Sequence, residues 1–569
     1  MSGDARLTAI VVIVICTISF GLSDLPCEPR DVGIEGRSIV CVCNATYCDT
    51  ITREEPAPGT YVVYTSSDAG QRFEKSYGVI QINDQGEEGE VESDEDPDYE
   101  PVKVNEDDDL TKFSYADDDS IFEDDGRDVG DLIENVLNNV TLRIFANTRH
   151  QYIEGFGGSV TDAASINWRK LSDTVQTRLI RSYFGSDGIE YNLIRVPIGG
   201  CDFSTHPYTY NELPWNDKAL SNFSLSPEDF FYKLPMIKRS QQLATDEIKI
   251  TASTWSPPIW MKTNERITGF GQLKPEFYQS YADYHVRFME EYEKAEVKIW
   301  AITTTNEPIN GIVPIVNFNS LGWTPSQLGI WVANNLGPTI RQSRFNKTLI
   351  LAVDDQRYIL PIWLRGMERA DPKSIEYIDG IAIHYYGNFV PAYILTLLQR
   401  RYEGKILLST EACEGPMPWD RLKVEIGSWR RARRYATSIM QDLNNFVVGW
   451  IDWNLCLDPD GGPNWANNFV DSPILVYGDR NEFIKQPMFY AMGHFSKFIP
   501  RHSRRIQVSR RSLLSVENVA VIKPNGNLVI VLQNRRHRVI NVRLRFSRFQ
   551  YIDIEMEPRS LKTIEVKLN

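Results

Sequence analysis

Val297-Lys-Ile-Trp-Ala-Ile-Thr-Thr-Thr-Asn-Glu-Pro308 reads as a short buried strand over 297–304 that stops in a polar Asn-Glu-Pro turn. Seven other apolar or β-branched runs resemble it, at 151–157, 191–198, 248–253, 348–353, 378–384, 405–410 and 447–453. Helical patterns at 172–183, 275–294, 326–335 and 428–444 fall between several of them. Eight strands interleaved with helices over about 340 residues predict an α/β chain with a (β/α)8 TIM barrel. That barrel is expected to span 151–454 together with 489–501. No internal sequence repeat is evident.

In such a barrel the reacting groups sit just past the C-terminal ends of the strands. The second strand ends Arg195-Val-Pro-Ile-Gly-Gly-Cys-Asp202-Phe203, and the third ends Thr254-Trp255-Ser-Pro-Pro-Ile-Trp260. The fourth ends in Asn306-Glu307-Pro308, the fifth in Asp354-Asp355 and the sixth in His384-Tyr385-Tyr386. Glu411-Ala412-Cys413 closes the seventh and Asp452-Trp453-Asn454 the eighth. Acids, amides and aromatic faces in one ring suit a sugar, whose hydroxyls need hydrogen bonds and whose C–H faces stack on indole and phenol. Cleaving a glycosidic bond with retention needs two carboxyl groups about 5–5.5 Å apart, one to protonate the leaving oxygen and one to attack the anomeric carbon. Glu307 and Glu411 can face each other across the mouth in this way, and Asn306 is placed to bond a sugar 2-hydroxyl. The mutual field of the two carboxylates should raise one pKa and keep that group protonated.

The two ends of the chain read differently. Residues 1–23 carry an apolar run from Ala9 to Cys16 after Arg6, a signal-peptide pattern that is too short for a comfortable membrane span. Of the seven remaining cysteines, Cys27, Cys41, Cys43 and Cys48 crowd together and suggest two disulfides in an oxidising lumen. Three pairings are possible, and Cys41 is too close to Cys43 to bridge it readily. A zinc site has no nearby His pair to support it. Asn44, Asn139, Asn222 and Asn346 each open an N-glycosylation triplet, in keeping with a secretory route.

The acidic balance is local. Residues 84–134 hold 23 of the 76 acids and three of the 61 bases, so the remainder carries 53 acids against 58 bases. That acidic stretch is too charged and too poor in apolar residues to pack, and it is expected to be a disordered insert over about 84–131. The last seventy or so residues hold short alternating runs and a Pro524-Asn-Gly-Asn527 turn, which predict a β-sandwich. Their cluster of arginines, from Arg501 to Arg538, forms either a face for an anionic surface or an ordinary solvated face. Nothing resembles a nucleic-acid module. Gly155-Phe-Gly-Gly158 lacks the spacing of a dinucleotide-binding loop.

Several motifs carry a resemblance to a known family. Cys41-Val-Cys-Asn-Ala-Thr-Tyr-Cys48, Gly155-Phe-Gly-Gly-Ser-Val-Thr-Asp-Ala163, Cys201-Asp-Phe-Ser204, Thr303–Pro308, Thr410-Glu-Ala-Cys413 and Gly462-Pro-Asn-Trp-Ala-Asn-Asn-Phe-Val-Asp-Ser472 look like the lysosomal acid glucosylceramidases of glycoside hydrolase family 30. The resemblance implies a retaining β-glucosidase that needs no metal or organic cofactor and splits glucosylceramide into glucose and ceramide. It implies Glu307 as acid/base and Glu411 as nucleophile. Asp202, Trp255, Asn306, Trp453 and Asn468 would contact glucose, and Arg195, His384 and Tyr386 would surround the nucleophile. It further implies disulfides Cys27–Cys41 and Cys43–Cys48, a lysosomal lumen, an anionic phospholipid surface and a saposin-type activator. The architecture it implies adds a small antiparallel β-sheet from 24–54 with 455–488, and a sandwich from 55–150 with 502–569. Three features depart from the family: the long acidic insert, Tyr385 where Trp is expected, and Glu414 where an apolar residue is expected.

Overall fold

The computed structural model describes residues 24–83, 139–313, 316–509 and 516–568. The expected signal peptide and the acidic insert lie outside the described residues.

Eight parallel strands close into a barrel: β1 (Gly155–Ser159), β2 (Leu193–Ile198), β3 (Lys249–Thr254), β4 (Ala301–Thr303), β5 (Leu349–Gln356), β6 (Gly380–His384), β7 (Ile406–Glu411) and β8 (Val447–Asp452). Every expected run contributes one of them, because continuous apolar strands survive only where both faces are covered. The run at 151–157 is split, however. Its first two residues end a 14-residue strand, Asn139–Tyr152, of another sheet, and β1 begins at Gly155. Glycine is needed there for close approach. A Cβ on Gly157 would lie 1.9 Å from the Leu193 carbonyl oxygen of β2. The Gly-Phe-Gly-Gly sequence is therefore a packing device.

The helices are formed by local signals. Ser428 caps Trp429–Asn444 by accepting from the Arg431 amide, and Thr324 and Gln327 form a capping box at Pro325–Trp331. The helical pattern at 326–335 continues through a wider π turn, Val332–Leu336. That at 275–294 starts with a 3₁₀ turn, Pro275–Phe277, before the α-helix Tyr278–Lys294.

A β-sandwich abuts the barrel. Asn139–Tyr152 runs parallel to Ile540–Arg545 at its start and antiparallel to Arg504–Val508 at its end, and so links the two layers. Between the layers lie Val140, Leu142, Ile144, Ile506, Ile530 and Ile552, all buried. A four-stranded antiparallel sheet orders Pro29–Arg30, Val40–Cys43, Glu482–Lys485 and Ile474–Tyr477. Disulfides join Cys27 to Cys41 and Cys43 to Cys48 beside it, and Cys201, Cys413 and Cys456 are free and buried. Among the described residues no helix is long and apolar enough to cross a membrane.

Gly157→Ala should cost roughly 3 kcal/mol or more, because the obstacle is backbone and cannot rotate away. Urea unfolding of the variant measures this, and an unchanged midpoint would contradict the close approach of β1 to β2.

Candidate active site

Glu411 ends β7, and Glu307 follows β4 on the opposite side of the mouth. Both are buried. One carboxylate oxygen of Glu307, one of Glu411 and a ring nitrogen of His384 all lie within 4.8 Å of one another. The neighbours of the two acids differ in kind. Glu411 Oε2 accepts from Arg195 Nη1 at 2.5 Å, and its Oε1 accepts from the Tyr386 hydroxyl at 2.9 Å. Glu307 accepts from two neutral amides, Gln356 Nε2 at 2.9 Å and Asn310 Nδ2 at 2.5 Å, and contacts His384 Nδ1 at 3.0 Å.

Behind the acids stands Asp354, fully buried. It accepts from Arg195 Nη2 at 2.9 Å, from Ser253 at 2.6 Å and from Thr410 at 2.6 Å, and meets His384 Nε2 at 3.0 Å. Burial opposes its charge, but Arg195 and His384 outweigh burial and hold the Asp354 carboxyl far below the usual carboxylate range. Burial likewise opposes charge on His384, yet Glu411 and Asp354 lift its pKa to about 10. Both ring nitrogens of His384 face carboxylates, Nδ1 toward Glu307 and Nε2 toward Asp354. Burial pushes the Glu411 carboxyl up; His384 and Arg195 pull it down, and the Glu307 charge adds to the rise. Burial and the Glu307 charge push neighbouring Asp355 well above the carboxylate range.

The backbone here is strained. Glu307 has φ 42°, Val353 φ 73° and Asp354 φ 57°. Val353 is β-branched and belongs to a residue class that rarely enters the left-handed region. The turn interrupts the register between β5 and β6 at Val353 and Asp355. Within it the Asp354 carbonyl accepts from the Glu307 amide at 3.0 Å.

A polar and aromatic wall completes the mouth. Trp255 and Trp453 stack with centroids 5.1 Å apart, and the Arg195 guanidinium lies over both rings, at 4.8 and 5.3 Å. Asn306 Oδ1 accepts from Arg195 Nη2 at 2.8 Å. Asp202 accepts from Asn468 at 3.0 Å and Asn464 at 3.3 Å. Burial pushes Asp202 up to about 7 against the Asn468 hydrogen bond, and the Glu411 charge adds to the rise.

Residues 153–499 match the glycosyl hydrolase family 30 TIM-barrel domain, and residues 502–564 match that family's β-sandwich domain. The chain belongs to glycoside hydrolase family 30. It is therefore a glycoside hydrolase. Lysosomal acid glucosylceramidase of Mus musculus is 38% identical over 525 residues, covering 91% of each chain. Endo-1,6-β-D-glucanase of Neurospora crassa is 26% identical over 66% of this chain and 76% of its own. The crystal structure of SrfJ from Salmonella typhimurium shares the fold, with a TM-score of 0.73 at 23% identity over 90% of this chain and all of that one.

Nine of the ten site positions singled out in the sequence lie at the C-terminal end of the barrel or on the loop that follows β8, and Arg195, inside β2, reaches them with its guanidinium. Asp354 was visible only as an acid at a strand end; its centrality comes from four partners on other strands. Gln356 and Asn310 carried no signal, since an amide two or three residues from an acid is commonplace. Cys413 Sγ lies 3.1 Å from the Tyr386 hydroxyl, and burial pushes the thiol well above its ordinary value.

The unfolded chain titrates His384 near about 6.5, whereas the folded barrel holds it near about 10. A raised folded pKa adds stability that is complete below about 6.5 and is lost as pH climbs through about 10. Between those limits the urea midpoint of the native protein should fall more than that of His384→Gln. Parallel pH curves for the two proteins would rule this out.

Proposed function

We propose that the chain is a retaining β-glucosidase that hydrolyses glucosylceramide to glucose and ceramide. The observation that carries the reading is the close pair of acids, one oxygen of each within 4.8 Å, with Glu411 bonded to a guanidinium and a phenol, and Glu307 to two amides and His384. The Arg195 guanidinium opposes the rise that burial gives the Glu411 carboxyl, and a carboxylate there suits attack on the anomeric carbon. Glu307 gives a proton to the glycosidic oxygen as Glu411 bonds to the sugar, and ceramide leaves as an alcohol. Glu307 then takes a proton from water, which attacks the anomeric carbon, frees glucose and restores the Glu411 carboxylate. Two inversions at one carbon give net retention. Trp255 and Trp453 provide a stacking surface near the sugar, and Asp202, Asn306 and Asn468 bond its hydroxyls.

The lipid half of the substrate is supported by the rim. Leu213, Trp215, Phe270, Val313, Phe389 and Trp419 are exposed on five of the loops that follow barrel strands, on the same face as the two acids. Apolar side chains spread around one mouth suit a membrane-embedded substrate better than a soluble glycan. An anionic bilayer and a saposin-type activator fit the same surface. The secretory and lysosomal route rests on the mouse relative, the disulfides and the exposed triplet residues Asn139, Asn222 and Asn346. Asn44 is half-buried, with its Oδ1 closing a turn against the Thr46 and Tyr47 amides. The Neurospora crassa relative makes a β-1,6-glucan the second candidate substrate.

Glu307→Gln should lower turnover of glucosylceramide about 10²–10⁴-fold, and Glu411→Gln at least as much. Full activity in either variant, in a lipid assay with product glucose measured, would end the assignment. Faster hydrolysis of a β-1,6-glucan than of the lipid would favour the second substrate. Trp419→Ser with Phe389→Ser should weaken activity on liposomal glucosylceramide while sparing a soluble aryl β-glucoside. An equal loss on both substrates would remove the rim from lipid recognition.

A further inference from the structure

Tyr385 and Glu414, the two mouth positions that depart from the family resemblance, are bonded to each other. The Tyr385 hydroxyl donates to Glu414 Oε1 at 2.6 Å, and Arg434 Nη1, on the helix Trp429–Asn444, pairs with Glu414 Oε2 at 3.2 Å. Glu414 is 4% exposed, and its carbonyl accepts from the Asp471 amide at 2.8 Å. A carboxylate so deep is costly unless paired, and a phenol bound to it at this distance makes a strong charge-assisted hydrogen bond. The contact ties the turn after β6 to the loop after β7 and, through Asp471, to the long loop after β8.

We propose that Tyr385 and Glu414 act as a positioning pair that holds the neighbouring Tyr386 hydroxyl on Glu411. This rests on the reading of Glu411 as the nucleophile. Tyr385 and Tyr386 open one short turn, Tyr385–Gly387, with their rings 6.1 Å apart and nearly perpendicular at 84°. Anchoring the first ring to Glu414 therefore fixes the turn from which the second reaches Glu411. Glu414 lies three residues beyond Glu411 and Tyr385 directly precedes Tyr386, so the Tyr385–Glu414 bond joins the backbone that carries the reacting carboxylate to the backbone that carries its phenol donor. Neither residue contacts the reacting oxygens. Their effect passes through Tyr386, whose hydroxyl donates to Glu411 Oε1 at 2.9 Å and orients that carboxyl.

The test is a double-mutant cycle of Tyr385→Phe and Glu414→Gln, with kcat and KM on glucosylceramide and the rate at which an epoxide glucose analogue labels Glu411. Each single change should lower kcat and the labelling rate about tenfold and change KM less than about twofold. The double variant should be no slower than the worse single one. Unchanged kcat in Tyr385→Phe, effects that multiply, or a loss confined to KM would overturn the pairing. Tyr385→Phe removes a single oxygen, and it decides the matter alone if Glu414→Gln fails to fold. Glu411→Gln separates the two readings. If that variant stays active, the assignment of the nucleophile is wrong; if it is dead while Tyr385→Phe is fully active, only the positioning pair is lost.

Discussion

The Arg195 guanidinium, fully buried, reaches Glu411, Asp354 and Asn306 and is covered by two indole rings. An isolated charge placed there would cost tens of kcal/mol by simple solvation arguments. It is tolerable because two carboxylates and an amide oxygen share it, and Asp354 is in turn shared with His384. Five ionisable groups from β2, β4, β5, β6 and β7 or the turns just past them thus stabilise one another, and no one of them can be withdrawn cheaply. The register of the barrel mouth is bound to that mutual dependence. If β2 slid along β1 or β3, Arg195 would lose its partners and leave Asp354 charged and alone.

The same arrangement explains where the backbone departs from ease. Glu307 and Asp354 both take left-handed conformations, and Val353 does so against its own preference. A straight continuation of β5 would aim Asp354 and Asp355 differently. The distortion instead turns one acid toward Arg195 and His384, while the other sits beside Glu307 and is pushed toward its neutral form. Strain in three adjoining positions is sustained by the hydrogen bonds that converge on Asp354.

Much of this was legible in the amino-acid order. Buried parallel strands must be apolar throughout, so all eight barrel strands stood out, and the acids at their ends were ranked by the geometry of a barrel. Glu307 and Glu411 emerged for that reason, and only the resemblance to the family implied which role each would take. The boundary at 151–157 was not legible, because the sandwich strand leads into the barrel strand with only Ile153 and Glu154 between them. Gln356, Asn310 and Asn464 were hidden as well, since amides acquire meaning only from the acid they face. The bond between Tyr385 and Glu414 was invisible for a related reason: the sequence showed two unusual residues 29 positions apart, and only folding makes them one feature.

The sandwich has a consequence for how the protein is made. Strand Thr60–Ser67 pairs along its whole length with Ser560–Lys567, the last strand among the described residues. A ribosome adding about 5–20 residues per second would need roughly 25–100 s to deliver that partner. Until then the early strand, paired on its other edge with Glu74–Val79, keeps one open row of backbone donors and acceptors. That strand is therefore an open sheet edge during most of synthesis, the state in which a chaperone that shields edges would favour correct pairing.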